Sequence, residues 1–105
     1  MNTISSTTFF IEQTEVFARW HAELRDLRAR IAVGRRIERM AVGNFGDTKS
    51  VGDGVSEIRI DIGPGYRVYF TRRQRTLVIL LCGGDKQTQR TDIRRAQQLA
   101  RENLS

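Results

Sequence analysis

The residues in this chain best suited to chemistry are cationic, and most of them fall in its second half. Arg59 and Arg67 flank a Gly63-Pro64-Gly65 turn, and Tyr69 follows Arg67 by two. Side chains two apart in a strand share a face, so Arg67 and Tyr69 project together, beside Arg59 on the neighbouring hairpin strand. Lys86 follows Gly83-Gly84, and Gln89 and Asp92 come just after. A planar guanidinium grips phosphate oxygens with two parallel hydrogen bonds. Several such cations together stabilise the extra negative charge of a phosphate in its transition state. Arg59, Arg67, Lys86 and Asp92 are therefore the expected catalytic set. Lys86 or Asp92 would move protons, the lysine only if its neighbours or burial lowered its pKa. The competing expectation is that Arg59 and Arg67 pair with Glu57, Asp61 or Asp92 on a solvated face.

Other chemistries lack their residues. The sequence holds no glycine-rich phosphate loop, no dinucleotide fingerprint, no HExxH and no paired cysteines. His21 is the one histidine, so a cofactor-free and metal-free site is expected. Cys82, the one cysteine, sits inside an apolar run and reads as a buried structural thiol.

The elements that must position these residues follow from hydrophobic periodicity. Thr7–Ile11 is β-branched and aromatic and reads as a strand. Thr14 caps a helix in which Val16, Phe17, Trp20, Leu24 and Leu27 recur at helical spacing. Asp26 is placed to cap a second helix, with Ile31, Ile37, Met40 and Ala41 inward and Arg28, Arg30, Arg35, Arg36 and Arg39 outward; one bent helix fits the periodicity equally well. After a glycine-rich connection with room for a short strand at Lys49–Val51, Ser56–Ile62 alternates: Ile58, Ile60 and Ile62 point one way, Glu57, Arg59 and Asp61 the other. Tyr66–Thr71 alternates again, so the two runs form a hairpin around the turn. Arg72–Arg75 reads as a basic turn. Leu77–Cys82 is apolar on both faces and reads as a covered central strand that Gly83-Gly84 ends. A polar helix from Gln87 to Glu102, with the sparse apolar residues Ile93, Ala96, Leu99 and Ala100, closes the chain. The order β-α-α-β-β-β-β-α describes an α+β two-layer domain: an antiparallel sheet, two N-terminal helices packed on one face, and a C-terminal helix.

The 105 residues suit one domain spanning 1–105. Formal net charge is +6, and it is uneven. Residues 1–54 carry eight Lys/Arg against seven Asp/Glu; residues 55–105 carry ten against five. A second half at +5 points to a polyanionic partner, nucleic acid or an acidic protein. For nucleic acid, Lys49, Tyr69, Arg72, Arg73, Gln89 and Arg90 are the expected RNA-binding residues around the cationic set. The N-terminal residues lack the pattern of a signal peptide, and the longest apolar run is too short to span a bilayer, so a cytoplasmic protein with no membrane partner is expected.

The segments GNFGDTKSVGDGVSEIRIDIGPGYRVYF and LLCGGDKQTQRTDIRRA, with FxxW and LxD in the early helices, resemble the RelE/HigB-type toxins of type II toxin–antitoxin systems, specifically the addiction-module killer proteins called phage Gp49-like, within the RelE/ParE superfamily. The resemblance runs from about Phe9 to Ala100. It implies a RelE/ParE-like fold and a cognate antitoxin of helix-turn-helix type that silences the toxin. It implies an endoribonuclease that inhibits translation by cutting mRNA on the ribosome without a metal: the 2′-hydroxyl attacks the adjacent phosphate and leaves a cyclic phosphate. Arg67 matches the family's phosphate-binding arginine, Arg59 falls near a basic position on the preceding strand, and Lys86 takes a basic position after the central strand. Where RelE toxins carry an arginine and then a tyrosine in the last segment, this chain has Gln89 and Ile93. That departure keeps two other readings open: a ParE-like toxin that poisons DNA gyrase by protein contact without nuclease activity, and a regulatory partner without toxicity.

Overall fold

The computed structural model describes residues 8–103. The chain forms β1 (Phe10–Gln13), α1 (Glu15–Ala22), α2 (Leu27–Ala41), β2 (Thr48–Gly52), β3 (Val55–Ile60), β4 (Tyr66–Arg73), β5 (Leu77–Asp85) and α3 (Gln89–Glu102), in the expected order. Thr7 of the expected first strand lies outside the described residues.

Local capping sets the helix starts. The Thr14 hydroxyl accepts from the Phe17 N–H at 3.0 Å and donates to the Leu81 carbonyl at 2.6 Å, which both starts α1 and ties it to β5. Asp26 accepts from the Arg28 and Ala29 N–H groups. Each cap satisfies donors that the first helical turn leaves open. The periodicity between them therefore belongs to two helices.

The five strands lie in the order β1-β5-β4-β3-β2. Strands β2 to β5 form the expected antiparallel meander. Strand β1 joins β5 in parallel, Phe10 opposite Leu77 and Gln13 opposite Leu80. The connection between these partners is most of the chain, so no local turn signal announces the pairing. Gly63 and Gly65 take positive φ in the β3–β4 turn, closed by the Gly65 N–H on the Ile62 carbonyl.

The sheet separates two apolar clusters. On one face Ile58, Val68, Phe70, Val78 and Leu80 pack with Phe9, Phe17, Val33 and Met40 under α1 and α2. On the other, Val55, Tyr69, Ile79 and Cys82 pack with Ala96 and Ala100 of α3. The third helix thus adds a layer opposite the first two, and its thin apolar stripe is enough to pack because small alanines allow close approach.

Three local expectations change. Gly83-Gly84 does not end the central strand, which runs on to Asp85. A side chain at Gly83 would strike the Trp20 ring, and one at Gly84 would strike Asp92 and Thr88. The pair is glycine because α1 and α3 press on the sheet there from opposite faces. Arg72 and Arg73 belong to β4, and the turn begins at Gln74, whose φ is 54°. Ile31 is 47% exposed rather than inward; Ala29, Val33 and Met40 are the buried residues of α2.

Candidate nucleic-acid interface

Strand register assembles the candidate site. Glu57 lies opposite Lys49 on one side and Tyr69 on the other, and Tyr69 lies opposite Cys82. One pleat along, Arg59 lies opposite Arg67, and Arg67 opposite Gly84. Both rows face α3. Their upper rim at β2 and β3 opens into a groove of about 430 Å³ between the sheet edge and α2, lined among others by Arg36, Arg39, Lys49, Glu57 and Arg59.

Arg67 and Glu57 form the polar centre beneath this rim. Each residue is only 4% exposed. Arg67 Nε stands 3.5 Å from Glu57 Oε1, and Arg67 Nη1 donates to the Gly65 carbonyl at 3.1 Å. Gln89, the first residue of α3, donates from Nε2 to the same Glu57 oxygen at 2.9 Å. A buried carboxylate is tolerated only when paired and hydrogen-bonded, and both conditions hold here. Tyr69 is fully buried, and its hydroxyl has no hydrogen-bond partner among the described residues. Burial first, and then the charge of Glu57, push the Tyr69 hydroxyl above its ordinary pKa, so it stays protonated at neutral pH.

The sequence-derived residues divide into groups. Lys49, Arg59, Arg67, Tyr69 and Gln89 come together on one side of the sheet, but Arg67 is buried against Glu57 rather than presented on an open face, and Tyr69, expected to contact RNA, is covered by α3 and offers no surface to it. Arg67 thus pairs with Glu57 as the competing expectation had it, but beneath α3 and not on a solvated face. Arg59 is exposed, and the Arg36 guanidinium holds its carbonyl at 3.0 Å. Lys86 and Arg90 are exposed where β5 passes into α3, at the end of the sheet next to Tyr66. Asp92 packs against Gly84 and accepts a hydrogen bond from the Thr88 hydroxyl. Burial raises its pKa, opposed by that hydrogen bond. Arg72 and Arg73 sit at the far end of β4 and have local partners. The Arg72 guanidinium lies 4.9 Å from the centre of the Phe9 ring and 4.6 Å from that of Phe45. Arg73 donates to the Ala100 carbonyl at 2.9 Å and to the Thr71 hydroxyl at 3.1 Å.

Glu57 is the residue that sequence reasoning underrated. Alternation placed it correctly beside Arg59, but its burial depends on α3 folding back over the sheet. The periodicity of α2 turns Arg36 and Arg39 outward; the groove brings both to the β2–β3 edge. Among the described residues no cluster of three His, Cys, Asp or Glu side chains could hold a metal, and no helix is long and apolar enough to cross a membrane.

The site combines a carboxylate, able to accept a proton, with cations, able to neutralise a phosphate. Residues 22–105 match the family described as phage derived protein Gp49-like. An uncharacterized protein of Haemophilus influenzae is 53% identical over 95 residues, 90% of this chain and 96% of that protein. The fold is similar to that of the Escherichia coli toxin RelE, solved as a mutant in the free state. That match has a TM-score of 0.70 and 13% identity, and covers 93% of this chain and all of that one. The chain belongs to the Gp49-like family and has the RelE-type toxin fold.

Proposed function

We propose that this protein is the toxin of a toxin–antitoxin pair, and that it acts as a metal-independent endoribonuclease on ribosome-associated mRNA until a cognate helix-turn-helix antitoxin neutralises it. The family and the fold support the toxin role. The observation that carries the nuclease reading is the buried Glu57–Arg67–Gln89 centre lying under a groove with Lys49, Arg36, Arg39 and Arg59 on its walls.

In this mechanism Arg59 and Lys49 bind the scissile phosphate from the groove. Glu57 takes the proton of the 2′-hydroxyl, whose oxygen bonds to phosphorus as the bond to the 5′-oxygen breaks. The products are a 2′,3′-cyclic phosphate and a 5′-hydroxyl. Arg67 and Gln89 hold the Glu57 carboxylate in place, so Arg67 is a positioning residue. Lys86, exposed at the sheet end, stabilises the leaving 5′-oxygen or protonates it. Glu57 thus replaces Lys86 and Asp92 as the base. The ribosome bends the message toward in-line geometry and so supplies part of the rate by orientation.

The test is cleavage of ribosome-bound message by purified wild-type, Glu57→Gln, Arg59→Ala and Lys86→Ala proteins. Arg59 and Lys86 are exposed, so their loss leaves the fold intact. Removing one transition-state donor should slow cutting on the order of 10²-fold. Undiminished cutting by Glu57→Gln would remove Glu57 as the base, and undiminished cutting by all three would remove the assigned site.

A further inference from the structure

Arg72, near the far end of β4, is an exposed cation resting on aromatic rings. Its guanidinium lies over both Phe9 and Phe45. Those two rings meet edge to face at 5.1 Å, and Phe45 stacks in turn on Phe70 at 5.7 Å. A ring face holds a cation in place without neutralising it, and Arg72 enters no ion pair among the described residues. Beside it opens a cleft of about 510 Å³, lined among others by Phe9, Phe45, Arg72 and Arg75. Among the described residues no acidic side chain lines it. The α2–β2 connection serves both this cleft and the groove above Glu57: Gly43 and Phe45 line the cleft, and Asn44 and Gly46 line the groove.

We infer that this cleft is a second RNA subsite, which stacks one unpaired base of the strand that occupies the groove above Glu57. Two features specify that ligand. Unpaired bases stack on aromatic rings and on guanidinium planes whatever their sequence, and Arg72 with Phe9 and Phe45 supplies both surfaces. Arg75 adds a cation for the phosphate beside that base. A carboxylate of an acidic protein would pair with the arginines but gain nothing from the rings, whereas a base covers them. Arg72 is five residues from Arg67 along β4, about 17 Å. A stacked strand crosses that span in about five nucleotides at 3.4 Å each. A tetranucleotide held in the groove therefore stops short of the subsite, and a dodecanucleotide reaches it. That the strand is a message rests on the nuclease reading; the binding of single-stranded RNA at Arg72 does not.

The experiment measures binding of labelled 2′-O-methyl oligouridylates of 4 and 12 nucleotides to the whole protein by fluorescence anisotropy, for wild type, Arg72→Ala and Arg72→Lys. Arg72→Ala should weaken the 12-mer about tenfold, the size expected for one lost stacking partner, and leave the 4-mer unchanged. Arg72→Lys keeps the charge and loses the plane, so it should weaken the 12-mer nearly as much while the slope of affinity against salt stays that of wild type. A 12-mer affinity that ignores Arg72→Ala would overturn the inference. So would equal losses on both lengths, which would place Arg72 in the groove or in the fold, and so would full binding by Arg72→Lys, which would make Arg72 a point charge with no stacked base. The 2′-O-methyl strands cannot be cut by 2′-hydroxyl attack, so a failed subsite and a failed nuclease reading give different results.

Discussion

The Glu57–Arg67 pair makes a prediction about stability that is separate from catalysis. Both side chains are at most 5% exposed, and their charged atoms are 3.5 Å apart. Glu57→Ala leaves a buried guanidinium without its counter-charge, and Arg67→Ala leaves a buried carboxylate supported only by Gln89. Removing one partner of such a pair costs about 3–5 kcal/mol. A domain of this size has a total stability on the order of 5–15 kcal/mol, so either single variant is close to unfolding. At about 4–8 °C per kcal/mol, a loss of 3 kcal/mol lowers Tm by about 12–24 °C. The double variant Glu57→Leu/Arg67→Met removes both charges and refills the volume, and apolar replacement of a buried pair is often neutral or stabilising. It should therefore be more stable than either single alanine variant. The assay is urea unfolding followed by far-UV circular dichroism and by the fluorescence of the lone Trp20, with Glu57→Ala/Arg67→Ala completing a double-mutant cycle. The coupling energy should exceed about 1 kcal/mol, above the additivity error of about 0.3–0.5 kcal/mol for independent sites. Additive losses within that error would refute the reasoning that the two charges depend on each other.

Further expectations follow from the same structure. Gly83→Ala forces the Trp20 ring off β5; overpacking of this kind costs about 1–3 kcal/mol, and a red-shifted Trp20 emission should accompany the lower stability. The raised Asp92 pKa means that the folded protein resists ionising this carboxyl, chiefly because of its burial. Its stabilising share is complete below the unfolded pKa and is lost as pH rises through the folded value. Asp92→Asn, which keeps an acceptor for Thr88, should then raise Tm at pH 7 and lose that gain as pH falls below the normal aspartate range; no gain at pH 7 would count against the assignment. Burial pushes the Cys82 thiol up to about 12, so iodoacetamide should label it only after unfolding, and rapid labelling of the native protein would contradict the packing. Arg59→Ala should keep Tm within the change of about 0.5 kcal/mol typical of a surface substitution while losing cleavage, which separates function from folding at that position.

Much of the fold is readable because its signals are local. Thr14 and Asp26 are caps, Gly63-Pro64-Gly65 is a turn, and the alternation on either side of it fixes which residues share a face. The parallel β1–β5 pair is not readable this way, since Thr14 reaches Leu81 across 67 positions of sequence. Gly83-Gly84 reads as a stop because glycine often is one; the pair is glycine because Trp20 and Asp92 approach the strand there, a tertiary contact with no sequence mark. Ile31 breaks the inward stripe of α2 because the helix turns Ala29, Val33 and Met40 to the core instead. At the site, alternation put Arg59, Arg67 and Tyr69 on the correct face. It could not separate exposed Arg59 from buried Arg67, because that difference arises only when α3 covers β4 and Gln89 reaches Glu57.

The central claim is tested most directly by mapping RNA ends after a short pulse of expression of this protein alone. The nuclease account expects new ends within translated messages, carrying 2′,3′-cyclic phosphates and 5′-hydroxyls, which disappear with Arg59→Ala. Growth arrest with intact messages and accumulating DNA breaks would contradict it and point to gyrase as the target.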